Sequence, residues 1–425
     1  MRRVRWSHRN HGRAIEERQD AIRTLSQWQS EDERIFNWSV PPEKLGGFLE
    51  SLTGQMVLPV AVVGPLPINY GKYTRNTHDE LQETDRHREN ILVPLAHTEG
   101  GLSVSMQRGI NVLAASGGVT TYILEDHMTR DSAFVFPDVD AAVKARNWIR
   151  AHISVLREWI NDPLHPGKMK HVQSGVAEVS THARLLGIDL RMVGSVCHVL
   201  YQFDTGDACG PNMMTRNAYA LNQEIVARME KTIGISPDNI FLEANLGGDK
   251  KPSYEYFHGG HGRTVLAHVN ISHEILQHHL NISSEALGQL EWTGLHGSLA
   301  SGMQSFGFTP ASAVAAIFTV TGQDLGMIGT SSMAHGAVKT LPSGVSFSIQ
   351  LGGLEVGVVG GGSQLPHAQS YLRMMGCDIE GGARKLAQII AGAALALEIS
   401  AAASMASRGS ENFFRAHFER GGLRR

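Results

Sequence analysis

The spacing of apolar residues divides the chain into segments of helical period and segments of strand period. Residues 141–160 and 212–234 carry apolar side chains at helical spacing, whereas residues 182–207 alternate apolar and polar positions. The order helix, strand, strand, helix predicts a compact α+β unit over residues 131–244, inserted in a larger domain.

Two other apolar segments lie before that unit and one lies after it. Residues 50–66 predict a strand that ends at Gly64-Pro65, a pair typical of turns. Residues 91–118 predict a buried helix, entered through the turn Glu99-Gly100-Gly101. Residues 389–406 are rich in alanine and include a glutamate, which favours a tightly packed core helix over a membrane span.

Composition restricts the possible functions. The 425 residues carry a net charge of −3, so no overall field attracts nucleic acid or an anionic membrane. The charged N-terminus lacks the apolar segment of a secretory signal, and the 3 cysteines lie far apart, which favours the cytoplasm. We expect no metal site: residues 273–279 resemble a zinc helix but carry Gln277 at the second ligand position, and residues 258–262 offer two histidines without a third ligand.

The loop "EANLGGDKKPS", residues 243–253, places Asp249, Lys250 and Lys251 between two glycines and Pro252. Solvated loops often carry lysines, but glycine permits close backbone approach and proline stiffens the exit. A rigid loop that presents two cations is suited to an anion, or to an oxygen that becomes anionic during a reaction.

Two further glycine-rich segments are candidates for phosphate contacts. Residues 206–214, "GDACGPNMM", lie between a predicted strand and a predicted helix, whose N-terminus favours phosphate. Residues 356–366, "VGVVGGGSQLP", form a second glycine-rich turn. Neither segment matches GxGxxG, so neither is specific by itself.

Taken together, these segments resemble the 3-hydroxy-3-methylglutaryl-CoA (HMG-CoA) reductase family, nearer its class I pattern, over roughly residues 45–420. The matching motifs follow the family's order: "HTEGGL" (97–102), "DHMTR" (126–130), "GDACGPNM" (206–213), "GGDKKP" (247–252), "TGQDLG" (321–326) and "VGVVGGGSQLP" (356–366). The resemblance implies an NAD(P)H-dependent, four-electron reduction of an acyl-CoA thioester to a primary alcohol, with HMG-CoA to mevalonate and CoA as the first expectation. The alternatives are a related enzyme for another acyl thioester and, less favoured, a non-catalytic protein that binds CoA or a nucleotide.

By resemblance, four residues carry the chemistry: Glu99, Lys250, Asp324 and His417. Lys250 would stabilise the oxyanion that forms at each hydride transfer, Glu99 would donate a proton, and Asp324 would lie beside both. His417, on a mobile C-terminal tail, would protonate the departing CoA thiolate. The expected substrate contacts are Arg130, Glu243, Asn245, Asp249 and Lys251.

Part of the expected carboxylate pocket departs from the family pattern. Glu243 stands where the family has a serine, no lysine occurs between Lys251 and Lys339, and residues 307–312 read "GFTPAS" in place of Asn-Ala-His-Ala-Ala-Asn. A carboxylate beside Arg130 weakens an anion clamp. We therefore expect HMG-CoA to bind more weakly than an acyl-CoA without the far carboxylate, unless Arg263 or a nearby histidine compensates.

The resemblance implies NADPH as the cofactor, with NADH as the alternative, and coenzyme A as part of the substrate. Arg184 and Arg216 are candidates for a 2′-phosphate, because Thr181 stands where NADPH-using members have an arginine. The expected cofactor contacts are Asp207, Gly210, Asn212, Arg184, Gly360 and Gly361.

The resemblance also implies a fold and an assembly. We expect an α+β protein with an N-terminal helical segment (1–67), a large helix-rich domain for substrate and CoA (68–130 and 245–400), an inserted small ferredoxin-like dinucleotide-binding domain (131–244) and a C-terminal flap (401–425). The active site should be shared in a homodimer, in which Glu99 and the loop of residues 243–253 from one subunit meet the dinucleotide-binding domain of the other.

Overall fold

Strands and helices both contribute to the fold, which is mixed α+β as expected. The computed structural model describes residues 12–25, 29–45, 47–71, 73–75, 81–83, 87–162 and 179–419. Its strands are β1 Val60–Tyr70, β2 Tyr73–Arg75, β3 Leu81–Glu83, β4 Arg88–Ala96, β5 Val119–Val135, β6 Arg184–Val193, β7 Val196–Asp204, β8 Asn239–Leu242, β9 Gly262–Ser272, β10 Ala334–Leu341 and β11 Gly344–Leu354.

The helices pack on this sheet framework, and short 3₁₀ turns and one π turn connect them. The α-helices are α1 Gly12–Leu25, α2 Leu102–Ala115, α3 Val139–Asn161, α4 Pro211–Ile233, α5 His273–Ile275, α6 Ser284–Ala300, α7 Pro310–Thr321, α8 Ile328–Ser331, α9 Pro366–Met374, α10 Gly382–Ala406 and α11 Glu411–Glu419. The 3₁₀ turns are Ser30–Phe36, Pro42–Lys44, Tyr254–His258, Leu325–Met327, Gly361–Gln364 and Arg408–Ser410, and the π turn is Leu276–Leu280. The predicted order α3, β6, β7, α4 is confirmed.

Strand β5 connects two hydrophobic cores. Its first half pairs with β9 and, in parallel, with β1, within the order β10-β11-β9-β5-β1-β4. Its second half, from Met128 to Val135, pairs with β7 and β8. One core lies among the first set of strands and α2, α7 and α10, and the other lies between β5–β7 and α3 and α4. Arg130 therefore lies where β5 leaves one core and enters the other.

Helix α10 is the central helix of the larger core, as its small residues predicted. It is long and apolar enough to cross a membrane, but 83% of its apolar window is buried inside the fold. Helix α2 crosses it so closely that a Cβ on Gly109 would lie 1.7 Å from the carbonyl oxygen of Ala396. Glu398, whose pKa burial raises, accepts hydrogen bonds from the backbone N–H groups of Phe308 (2.7 Å) and Thr309 (3.0 Å) at the start of α7.

Two predicted boundaries were wrong. Strand β1 does not end at Gly64-Pro65 but continues to Tyr70, because a register shift against β4 between Val63 and Leu66 absorbs the irregular pair. The predicted entry into a helix through Glu99-Gly100-Gly101 is confirmed, because α2 begins at Leu102, after Gly101 with its left-handed backbone (φ 92°). The apolar residues before this turn were wrongly predicted as helix, since they form strand β4. Residues 1–67 thus include the start of a strand as well as α1.

Candidate active site

The loop between β8 and the 3₁₀ turn Tyr254–His258, here called the lysine loop (residues 243–253), has an unusual backbone. Glu243, Asn245 and Lys250 all have positive φ, at 72°, 72° and 59°. Residues other than glycine, asparagine and aspartate rarely adopt this left-handed backbone conformation, and clusters of such residues are typical of functional loops. A turn closed by the N–H of Lys251 on the carbonyl of Gly248 (2.9 Å) holds the loop tip.

Lys250 and Asp324, predicted to lie side by side, form an ion pair. Nζ of Lys250 is 2.7 Å from Oδ2 of Asp324, and both side chains are about half exposed (48% and 44%). The hydrogen bond to Asp324 raises the pKa of Lys250. Burial raises the pKa of Asp324, but the hydrogen bonds from Lys250 and from the N–H of Gly326 outweigh it, so the pKa is lowered overall. The ammonium group is therefore charged and held in place.

Arg130, predicted to grip the substrate, is held by two carboxylates. Nη1 donates to Oε2 of Glu243 (2.6 Å) and Nη2 donates to Oδ2 of Asp249 (2.9 Å), and only 6% of the side chain is exposed. Lys251 also pairs with Glu243, at 3.4 Å. Arg130, Lys250 and Lys251 thus each have an acidic partner within the chain.

Glu99 lies far from this group, so the predicted contact with Asp324 is absent within one chain. Ala96, which precedes Glu99 by three residues, pairs with Val60 at the start of β1. Further along β1, Ile68 pairs with Val119 at the start of β5. Because β1 and β5 are parallel, the second half of β5 lies beyond the opposite end of β1. Glu99 and Arg130 therefore lie toward opposite ends of these strands. Glu99 is exposed and forms no hydrogen bond or ion pair with any described residue.

The two glycine-rich segments, far apart in sequence, lie side by side. The N–H of Val358 donates to the carbonyl of Asp207 (2.9 Å), and a Cβ on Gly357 would lie 2.6 Å from the backbone nitrogen of Cys209. Sγ of Cys209 is 3.6 Å from the sulfur of Met327, three residues after Asp324. The glycine-rich segment of residues 206–214 and the segment that carries Asp324 therefore lie close together within one chain.

The predicted cofactor residues have different roles in the fold. Asp207 caps helix α10: its carboxylate accepts the N–H groups of Gly381 and Ala383, each at 2.9 Å. Gly210 begins helix α4 in a left-handed conformation (φ 80°), and Asn212 is exposed in its first turn. Also exposed are Gly360, Gly361, Arg184 and Arg216.

His417 lies on α11, which follows α10 after a 3₁₀ turn. Its side chain is exposed, and Nδ1 is 2.9 Å from the carbonyl oxygen of Phe413 one turn earlier. The helix also exposes Phe414 and Phe418. The remainder of the predicted flap, residues 420–425, lies outside the described residues.

Sequence reasoning missed the buried partners of the lysine loop. The expectation that residues 258–262 have no third potential ligand nearby was wrong, because Asp249, His261 and Glu355 bring ligand atoms within 4.8 Å of one another. Glu355 follows β11 and is 1% exposed. No local pattern relates positions that are 94 residues apart in the chain.

A charged ammonium beside a carboxylate can stabilise an oxyanion, such as the one formed when a carbonyl accepts hydride, and the nearby glycine turn at the start of a long helix suits a phosphate. A family model for hydroxymethylglutaryl-coenzyme A reductase matches residues 14–421. The chain belongs to this family.

Similar proteins and structures agree. The 3-hydroxy-3-methylglutaryl-coenzyme A reductase of Pyrococcus abyssi is 32% identical over 386 residues, which cover 88% of this chain and 85% of the relative. That of Aeropyrum pernix is 33% identical over 392 residues, 90% and 84% of the two chains. A structure of the class II enzyme from Streptococcus pneumoniae bound to NADPH has the same fold, with a TM-score of 0.63 at 17% identity over 92% of this chain and 97% of that one.

Proposed function

We propose that the chain reduces HMG-CoA to mevalonate with NADPH, releasing CoA. The balanced reaction consumes two NADPH and two protons, because a thioester must accept four electrons to become a primary alcohol. NADPH supplies the hydrides when bound. The observation that carries the proposal is the Lys250–Asp324 ion pair of 2.7 Å beside the dinucleotide loop. Lys250 donates a hydrogen bond to the carbonyl oxygen as it becomes anionic, and Asp324 keeps the ammonium in place.

The test is NADPH oxidation that depends on HMG-CoA, with two NADPH consumed per CoA released. Lys250→Ala should abolish turnover and leave NADPH affinity nearly unchanged, because this side chain acts on the acyl oxygen. Lys144→Ala, an exposed lysine on α3, is the matched control and should match the wild type. More than a few per cent of turnover in Lys250→Ala would contradict the assignment.

Cofactor binding is proposed for the unit built on the second core, as an inserted ferredoxin-like domain over residues 131–244. Its support is the helix–strand–strand–helix order and the left-handed Gly210 at the N-terminus of α4, which suits a phosphate. Each of the three cysteines is free, which supports a reducing, cytoplasmic location.

A homodimer is proposed to complete the site, with Glu99 of one subunit reaching Lys250 of the other. The support is that, within one chain, Glu99 lies at the opposite end of the β1 and β5 strands from Arg130, and that its side chain is exposed. Helix α6 also exposes the apolar side chains of Trp292 (66%), Leu295 (39%) and Leu299 (59%), which a second copy would cover. An active monomer in light scattering would contradict this assembly.

A different acyl-CoA is the second candidate substrate, and the pairing of Arg130 favours it. Both terminal nitrogens of that guanidinium are held by Glu243 and Asp249. A far carboxylate on the substrate would have to displace one of them or meet a negative neighbour. Comparison of kcat/KM for HMG-CoA and for acyl-CoAs without the far carboxylate decides between the two, and a clear preference for HMG-CoA excludes the second.

A further inference from the structure

A fully buried carboxyl group, that of Glu355, lies beneath the lysine loop. Its Oε2 is 3.1 Å from Nε2 of His261. Its Oε1 is 3.1 Å from the hydroxyl oxygen of Tyr256 and forms a short hydrogen bond with Oγ1 of Thr330. Glu355, His261, Tyr256 and Thr330 are all buried. A polar group at such depth is costly unless each of its hydrogen-bonding positions is matched, so the pattern of donors here is informative.

The hydrogen bond at Nδ1 of His261 shows which ring nitrogen carries the proton. The backbone N–H of Thr129 donates to Nδ1 at 3.0 Å, so the neutral ring carries its hydrogen on Nε2, facing Glu355. A protonated Nε2 offers no lone pair to a metal ion. Although Asp249, His261 and Glu355 bring their ligand atoms together, the cluster is a hydrogen-bond network rather than a metal centre.

Tyr256 links this network to the lysine loop. Its hydroxyl oxygen is 2.5 Å from the carbonyl oxygen of Gly248, closer than to Glu355, so its single hydrogen is donated to Gly248. The ring is 0% exposed and lies against Gly353, where a Cβ would come within 2.1 Å of a ring carbon. The glycine thus makes room for a side chain that fixes the loop two residues before Lys250.

Thr330 links the same carboxyl group to the segment of Asp324. Its hydroxyl contacts Glu355 and also lies 2.9 Å from the carbonyl oxygen of Met327, in the 3₁₀ turn that Asp324 begins. Glu355 therefore contacts one side chain that touches the lysine loop and another that touches the turn after Asp324. Those two segments carry the two members of the ion pair.

We propose that Glu355 is a positioning residue that fixes the lysine loop against the Asp324 segment and so keeps the ammonium of Lys250 where the acyl oxygen is reduced. The inference rests on the proposed function in that Lys250 acts in that reaction. Lys250 needs such support because its backbone is left-handed (φ 59°) and its side chain is half exposed. The ion pair alone does not fix the loop beneath it.

The donor pattern makes one substitution harmless and another damaging. In Glu355→Gln the amide oxygen can accept from His261, while the amide NH₂ donates to the oxygens of Tyr256 and Thr330, whose hydrogens then go to Gly248 and Met327. Every polar group stays matched. Glu355→Leu leaves the Nε2 hydrogen of His261 facing an apolar side chain, because Glu355 is its acceptor.

The experiment measures kcat, the Kd for NADPH and hydrogen exchange of residues 245–251 in each variant. Glu355→Gln should keep kcat within about twofold. Glu355→Leu should lower kcat by about a hundredfold, since a misplaced catalytic group has this effect. NADPH affinity should stay unchanged in both. A Glu355→Gln variant as impaired as Glu355→Leu would overturn the proposal.

A milder pair of variants covers the case in which Glu355→Leu fails to fold. Tyr256→Phe removes only the hydroxyl that reaches Gly248, and it should lower kcat about tenfold and speed exchange in the lysine loop. Tyr254→Phe, an exposed tyrosine in the same 3₁₀ turn, is the control and should change neither. If hydrogen exchange in the lysine loop is the same in Tyr256→Phe as in Tyr254→Phe, the positioning role is wrong. A wild type without turnover would instead refute the proposed function, while the exchange comparison would still test the loop.

Discussion

Neutralising Glu243 should strengthen the binding of HMG-CoA. Oε2 of Glu243 is 2.6 Å from Arg130, and Oε1 is 3.4 Å from Lys251, so one carboxylate pairs with two cations of the candidate pocket. Glu243→Gln keeps the shape of the side chain and the same strain at φ 72°. It removes the charge that would repel the far carboxylate of the substrate.

The size of the effect follows from distance and exposure. Two like charges about 4 Å apart repel by about 4 kcal/mol at the effective dielectric of a partly buried site. Arg130 and Lys251 already compensate much of the charge of Glu243, and its side chain is 23% exposed. If about a third of the repulsion remains, the substitution is worth about 1.4 kcal/mol, or a tenfold lower KM for HMG-CoA.

The assay compares KM and kcat for HMG-CoA in the wild type, in Glu243→Gln and in Glu158→Gln, an exposed glutamate on α3 that serves as control. KM for HMG-CoA should fall in Glu243→Gln alone, with little change in kcat. KM for an acyl-CoA without the far carboxylate should not fall. An unchanged or higher KM for HMG-CoA would show that Glu243 does not oppose the substrate carboxylate.

The other predictions concern the catalytic residues and the cofactor. The Lys250–Asp324 attraction is lost only as pH rises through the raised pKa of Lys250, above its ordinary 10.5, or falls through the lowered pKa of Asp324, below its ordinary 3.8. Asp324→Asn should therefore lower the pKa of Lys250 and move the alkaline limb of the kcat profile to lower pH; an unmoved limb would mean that Lys250 does not control it. Arg184→Ala combined with Arg216→Ala should raise KM for NADPH about tenfold and leave KM for NADH unchanged, and an equal effect on both would exclude a 2′-phosphate contact. His417→Ala should lower kcat without weakening NADPH binding, and an unaltered kcat would remove it from the mechanism.

Local patterns predicted local structure well. The periodic segments form α3, β6, β7 and α4, because apolar residues at a regular spacing indicate an element with one buried face. The alanine-rich stretch forms the buried α10, because apolar residues on all sides indicate a helix buried on all sides. Gly64-Pro65 misled the strand prediction, since pairing with β4 outweighed the local turn preference.

The candidate site was predictable in its members but not in its arrangement. Motifs indicated Lys250 and Asp324, and the structure brings them together. The position of Glu99 depends on the register of β1 against β4 and β5, which no motif encodes. Glu355 was missed because a lone buried glutamate after a strand has no local signature, and its partners come from distant segments.

The most direct test of the account mixes two inactive variants, Glu99→Ala and Lys250→Ala. If Glu99 of one subunit serves Lys250 of the other, each mixed dimer has one site with both defects and one intact site. Random mixing after unfolding and reassembly, or by co-expression, should then restore about a quarter of wild-type activity, since half the dimers are mixed and each has one working site. Activity that stays at the level of the separate variants, with mixed dimers present, would contradict the shared site.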